Sequence, residues 1–171
     1  MAVDALQKGL LVAWFDGPME WGNRALGGRS IVANPLQPHV LENLNHFLKH
    51  RDPWRGYALS GIEAAVHDHF DGPDQSPYME CDYLPKDRDQ FHRILPGLRA
   101  MVRVHTVGPE APGRFPTLLR AFGDASGLPF VVNTSFIGFR EPIVCGPRDA
   151  VRVFFGTGID MLVMGEFVIH K

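Results

Sequence analysis

Apolar positions along the chain come in short blocks, separated by glycine and proline. The run Leu10-Leu11-Val12-Ala13-Trp14-Phe15 has strand length and is closed by Asp16-Gly17-Pro18; residues 30–33 supply a second short strand. Over 36–50, Val40, Leu41, Leu44, Phe47 and Leu48 fall on one face of a helix, which Asp52-Pro53 stops. Residues 57–65 fit strand and helix equally well. Over 100–107 the period becomes two: Met101, Arg103 and His105 point one way, Val102, Val104 and Thr106 the other. That spacing predicts a strand with one half-buried face. Residues 115–122 predict a helix ended near Gly127, and 128–132 a buried strand running out into Asn133-Thr134-Ser135. Pro147 opens a further helix through Ala150, Val151 and Phe154. Residues 161–164 and 167–170 predict a closing hairpin about Gly165-Glu166. Strands alternating with helices, and no linker, predict one α/β domain over 1–171 with a twisted mixed sheet and flanking helices.

Composition narrows the function classes. A chain of 171 residues, 45% hydrophobic and 21% charged, is that of an ordinary single globular domain. The net charge of -2 lacks the basic excess of a nucleic-acid-binding domain, so no nucleic-acid partner is expected. The first nine residues do not read as a secretion signal, and no apolar stretch is long enough to span a bilayer. A cytoplasmic protein with no membrane partner is the expectation. Cys81 and Cys145 have no Cys or His at zinc-finger spacing, which argues against a disulfide framework and a structural zinc.

Four polar constellations carry candidate chemistry. The stretch from Glu20 to Ser30 packs Asn23, Arg24, Arg29 and three glycines into one loop. Glycines let backbone approach a ligand, successive amides form anion-binding nests, and arginine matches phosphate oxygens; a solvated turn is the alternative. Lys49-His50-Arg51-Asp52-Pro53-Trp54-Arg55 clusters cations at a helix end, which also suits plain capping. Arg103 sits mid-strand and needs an anion if it faces inward. Asn133-Thr134-Ser135 stands at the carboxyl end of an apolar strand, where α/β sheets bind ligands; a turn leading off the strand is the alternative. His67-Asp68-His69 reads more readily as loop residues than as a metal site. Neither a Walker A lysine motif nor Gly-x-Gly-x-x-Gly is present.

In this order the constellations resemble the C-terminal domain of the O-carbamoyltransferases, a family that includes nodulation-factor, cephalosporin-type, ansamycin and aminoglycoside antibiotic enzymes of secondary metabolism. Met19-Glu20-Trp21-Gly22-Asn23-Arg24-Ala25-Leu26-Gly27-Gly28-Arg29-Ser30-Ile31 is similar to the family signature. So are Lys49-x-Arg51-x-x-x-Arg55, Ser76-Pro77-Tyr78-Met79, Asn133-Thr134-Ser135-Phe136 and Glu141-Pro142-Ile143-Val144.

The resemblance implies a YrdC-like α/β sheet about a positive cavity, where carbamoyl phosphate and ATP, with Mg²⁺, give carbamoyl adenylate. It implies that a separate sugar-kinase-like domain, supplied in trans or by a longer chain, carries iron and moves the carbamoyl group to a hydroxyl; no iron site is expected in 1–171. It puts ATP near Arg24, Lys49, Arg55, Arg103 and Ser135, with Asn133 and Thr134 beside them and Glu20, Asn23, Arg29 and Arg51 as secondary candidates. No covalent nucleophile is implied, and Arg24, Lys49, Arg55 and Arg103 would stabilise charge. Four cations sharing one ligand are expected to converge on one cavity. The sequence also departs from the family pattern. Gly97-Leu98-Arg99-Ala100-Met101-Val102-Arg103 stands where the family has His-x-Asp-Gly-Thr-x-Arg, and Ile137, Arg140, Gly56 and Leu59 replace usual residues. A nucleotide-binding or scaffold module without turnover is therefore the alternative function.

Overall fold

The structure is a computed structural model and describes residues 1–94 and 101–171. Most of the apolar blocks become strands. Among the described residues these are β1 (Val12–Phe15), β2 (Arg29–Ala33), β3 (Ala58–Ile62), β4 (Phe70–Asp71), β5 (Asp82–Pro85), β6 (Val102–Val107), β7 (Phe130–Ser135), β8 (Met161–Met164) and β9 (Phe167–His170). They form one open sheet in the order β4-β5-β6-β3-β7-β2-β1-β8-β9. β3 runs parallel to β6 and β1 parallel to β8; the other neighbouring pairs are antiparallel. The helices are α1 (Ala2–Gln7), α2 (Val40–Asn43), α3 (Glu63–His69), α4 (Arg88–Ile94), α5 (Phe115–Ser126) and α6 (Pro147–Gly156).

Both sheet faces are covered, so the central strands are apolar on both sides. On one face Val12, Trp14, Val32, Val131 and Val163 pack under Leu6 of α1 and Phe115, Leu118 and Phe122 of α5. On the other, Ala13, Phe15, Ile31, Leu59, Val104 and Val132 pack under Val40 and Leu44, Val66 of α3, Phe91 of α4, and Val153 and Phe154 of α6. α5 ends where Gly127 takes a left-handed φ of 73° and its N–H bonds the carbonyl of Gly123. α6 starts at Pro147, and Asp149 Oδ2 accepts from the amides of Gly146 and Cys145 at 2.9 and 3.2 Å.

α5 does not cover the whole of its face. Strand register puts Ser30, Ser135, Asn133, Ala58, Ser60 and His105 on that same face, as a polar strip across β2, β7, β3 and β6. This strip is the floor of the site.

The sequence pattern and the structure part in four places. The helix expected over 36–50 starts at Val40 and loosens at Leu44–Leu48 into a π-helical turn, in which the Lys49 amide donates to the Leu44 carbonyl. Residues 57–65 are both alternatives in succession, β3 and then α3. Asn133-Thr134-Ser135 is not a turn beyond the strand: it is the second half of β7, held by the pairs Asn133–Ala58 and Ser135–Ser30. In β6 the side expected to be solvated holds His105 at 4% exposure, because Phe115 of α5 stacks over it with ring centroids 6.3 Å apart. Gly97, Leu98, Arg99 and Ala100, where the sequence departs most from the family pattern, lie outside the described residues.

Candidate functional site

The loop between β1 and β2 is tied from within. Glu20 Oε1 accepts from the amide of Leu26 at 2.9 Å and from that of Gly28. Gly27 has φ 105°, its amide donates to Ser30 Oγ at 3.0 Å, and a Cβ there would meet the Phe115 ring at 2.4 Å. Only glycine fits between this loop and α5. So closed, the loop lays its Asn23-Arg24-Ala25 segment over the end of β7. Ser135 Oγ donates to the Asn23 carbonyl at 3.2 Å, and Asn133 Nδ2 donates to the Ala25 carbonyl at 2.9 Å.

The basic segment is arranged by Asn45, which is buried. Its Nδ2 donates to the carbonyls of Pro53 and Arg55 at 3.2 and 3.0 Å. Its Oδ1 accepts from Arg51 Nε at 2.7 Å and Tyr57 Oη at 2.9 Å. The Arg51 guanidinium lies 4.2 Å over the Tyr57 ring. Burial pushes the Tyr57 phenol up to about 12 and the Lys49 ammonium down to about 7, the latter helped by the neighbouring Arg51 charge. Lys49 Nζ donates to the Ser135 carbonyl at 2.6 Å.

Two cavities open on the polar strip. The smaller, about 110 Å³, is lined by Arg24, Ala25, Arg51, Tyr57, Met79 and Asn133-Thr134-Ser135 among others. The larger, about 690 Å³, is lined by Glu20, Leu26, Gly27, Gly28, Glu63, Tyr78, His105 and the 108–113 loop among others. They share two walls: the loop holding Arg24 to Gly28, and the Pro77-Tyr78-Met79 segment. The larger cavity has the volume usual for small-molecule sites, and the smaller has room only for a small group.

The residues singled out in the sequence do not all gather in one place. Arg24, Arg51, Asn133, Thr134 and Ser135 line the smaller cavity, and Lys49 bonds to Ser135. Arg55 follows in the same basic loop, with its side chain exposed and its carbonyl held by Asn45; Asn23 is exposed above Ser135. Arg103 stands one residue before the Val104–Leu59 pair, alongside Ala58, and makes a 3.2 Å ion pair with Asp82 of β5. Glu20 lines the larger cavity while holding its loop together. Arg29 is placed elsewhere. It alternates with Ser30 and so faces the opposite side of the sheet, 3.6 Å over the Phe15 ring at 5% exposure. All three of its guanidinium nitrogens donate to backbone carbonyls, of Asp16, Gly17, Gly28 and Cys145. Arg29, a secondary candidate from the sequence, thus lines neither cavity, and its donors are occupied by backbone carbonyls.

Residues 3–171 match the family model described as carbamoyltransferase C-terminus. This chain belongs to the carbamoyltransferase C-terminal domain family. It is 37% identical to an uncharacterised protein of Synechocystis over 97% of the chain and 30% of that protein. It is 32% identical to the nodulation protein NolO of Bradyrhizobium diazoefficiens over 99% of the chain and 32% of that protein. With the 3'-hydroxymethylcephem-O-carbamoyltransferase of Amycolatopsis lactamdurans it shares 30% identity over 95% of the chain and 31% of that enzyme. The chain thus spans about a third of the length of these relatives.

In this carbamoyltransferase C-terminal domain, the pattern of the sequence did not reveal Asn45, Ser60 or His105. None belongs to a local concentration of candidate groups, and only the folded chain shows what each bonds. Ser60 and His105 share a 3.0 Å hydrogen bond, but Ser60 is fully buried and its oxygen also accepts from Asn133 at 2.8 Å, which leaves no room for a nucleophile's approach. His67 and His69 lie on helix α3, and His67 Nε2 bonds the Asp74 carbonyl at 3.1 Å. Among the described residues no group of three or more His, Cys, Asp or Glu side chains gathers as a metal site, and no helix is long and apolar enough to cross a membrane. Both cysteines are free.

Proposed function

We propose that this domain binds ATP across the two cavities and joins a carbamoyl group to it. The nucleoside occupies the larger cavity and the phosphates reach the smaller one. One observation carries the reading: Arg24, Lys49 and Arg51, from two separate segments, meet Asn133, Thr134 and Ser135 at the end of β7. Carbamoyl phosphate and water give carbamate and phosphate. A carbamate oxygen then attacks the α-phosphorus of ATP, the bond to the β-phosphate oxygen breaks, and pyrophosphate leaves with carbamoyl adenylate behind. Negative charge builds on the phosphoryl oxygens, so positioned cations do most of the work and no protein nucleophile is required. Mg²⁺ would come with the nucleotide and neutralise phosphate charge; Asp16 and Glu20 already hold bonds within the protein. A sugar-kinase-like domain takes the adenylate and passes the carbamoyl group to a hydroxyl; iron belongs to that domain.

A specific observation favours a second reading. Arg103 is held by Asp82 and lines neither cavity, which fits a module that binds nucleotide without turning it over. Pyrophosphate release from ATP and carbamoyl phosphate separates the two. The expected result is slow release by the chain alone and faster release with a sugar-kinase-like transferase domain. The transferase domain draws off the adenylate and frees the site for another turnover, a step the lone chain lacks. ATP binding without release under either condition moves the conclusion to the second reading.

A further inference from the structure

Among the described residues, the buried side-chain polar atoms with no hydrogen-bond partner are Trp14 Nε1 and Asn133 Oδ1. Trp14 belongs to the apolar core under α5. Asn133 lines the smaller cavity, at 2% exposure. An unpaired buried acceptor is costly, and on a residue that lines a cavity it can be met by a ligand's donor once the ligand displaces the atoms that cover it.

The orientation of the Asn133 amide follows from its neighbours. Nδ2 donates to the Ala25 carbonyl at 2.9 Å, and a carbonyl can only accept. The amide is therefore not interchangeable end for end, and its oxygen is the free group. The second Nδ2 hydrogen goes to Ser60 Oγ at 2.8 Å. The Ser60 hydroxyl then donates to His105 Nδ1 at 3.0 Å, and His105 keeps its proton on Nε2. Burial holds the His105 imidazole down to about 4, so this polarity does not reverse in the neutral range. Along Ala25, Asn133, Ser60 and His105, the buried side-chain atom left without a partner is an acceptor, Asn133 Oδ1.

A phosphate, a carboxylate or a bicarbonate cannot satisfy that atom with its anionic oxygens. A primary amide can, because its –NH₂ carries two donors. We propose that Asn133 Oδ1 accepts from the –NH₂ of the carbamoyl group and is the residue that distinguishes carbamoyl from other acyl groups of the same size. The inference rests on the carbamoyl-binding reading above. It adds a division of labour: cations hold the phosphates, while a neutral, preoriented amide reads the carbamoyl nitrogen. The cavity of about 110 Å³ suits a group of that size.

The test compares carbamoyl phosphate with acetyl phosphate, which replaces –NH₂ by a methyl group of similar size. Calorimetric titration of the unaltered chain, with the non-hydrolysable α,β-methylene-ATP present, is expected to show about tenfold tighter binding of carbamoyl phosphate, the worth of one net hydrogen bond. Equal affinity for the two overturns the role of Asn133 and leaves the proposed function standing. Binding of neither, with the nucleotide bound, overturns the proposed function and this inference with it. In Asn133→Ala, checked for folding by its thermal transition, the preference should fall to within about twofold; a variant that keeps the full preference overturns the assignment. Should that variant not fold, the comparison on the unaltered chain decides alone.

Discussion

The Lys49 ammonium donates to the backbone carbonyl of Ser135 at 2.6 Å, across 86 residues of sequence. The bond fastens the basic segment after α2 to the end of β7. Lys49 is half-buried, the Arg51 charge acts on it, and no carboxylate pairs with it among the described residues. Its pKa is down to about 7 from an ordinary 10.5. Under the proposed function a bound phosphate would supply the missing negative charge.

Two pH dependences of opposite sense follow. Between about pH 7 and 10.5 the unfolded chain holds a proton on Lys49 that the folded chain has released. Stability of the ligand-free domain should therefore rise with pH across that window, and Lys49→Met should remove this part of the rise. ATP affinity should fall as pH rises from about 7, toward the higher pKa that a bound anion imposes. Urea unfolding and nucleotide titration at a series of pH values measure the two slopes. An ATP affinity that stays flat between pH 6 and 9 would mean that the lysine does not meet the phosphates.

Arg24 and Arg29 lie in one loop-to-strand segment and should behave oppositely on truncation. Arg24 is exposed, lines the smaller cavity and makes no side-chain hydrogen bond or ion pair among the described residues. Arg24→Ala should change stability by no more than about 0.5 kcal/mol. It should weaken ATP binding by about 1.5–3 kcal/mol, the range for hydrogen bonds to charged groups. Arg29→Ala leaves the carbonyls of Asp16, Gly17 and Cys145 without this donor, while that of Gly28 keeps the Asp16 amide, and should cost about 3 kcal/mol of stability. Thermal unfolding and calorimetry on both variants check the contrast. A loss of affinity in folded Arg29→Ala larger than in Arg24→Ala contradicts it.

Asn45 should prove as important to the site as the cations it arranges. Asn45→Ala removes bonds to Arg51, Pro53, Arg55 and Tyr57 at once. We expect a stability loss of about 2 kcal/mol or more. Amide exchange over residues 51–57 should speed up more than in α5. Unchanged protection in that loop would show that Arg51 and Tyr57 hold it without Asn45.

Much of the site was legible one segment at a time. The Gly-rich stretch from Glu20 to Ser30, the cations from Lys49 to Arg55 and the Asn133-Thr134-Ser135 run are each local concentrations of polar groups in an apolar chain. Arg29 shows the limit of that reading. It stands beside Ser30 in the same motif, yet a strand turns successive side chains to opposite faces, and the register with Phe15 sends Arg29 away from the cavities.

What the sequence by itself determined is the α/β alternation, the closing hairpin at Gly165 and the residue types available for binding anions. Those follow from local periodicity and turn chemistry, which act over a few residues. What only the tertiary structure decided is which polar atoms are already used. Asn133 looks like any strand-end asparagine until β3 brings Ser60 to one side of it and the 23–25 loop brings the Ala25 carbonyl to the other. Hydrogen-bond demand is settled by long-range pairing of strands and loops, and the free acceptor appears only once every neighbour is in place.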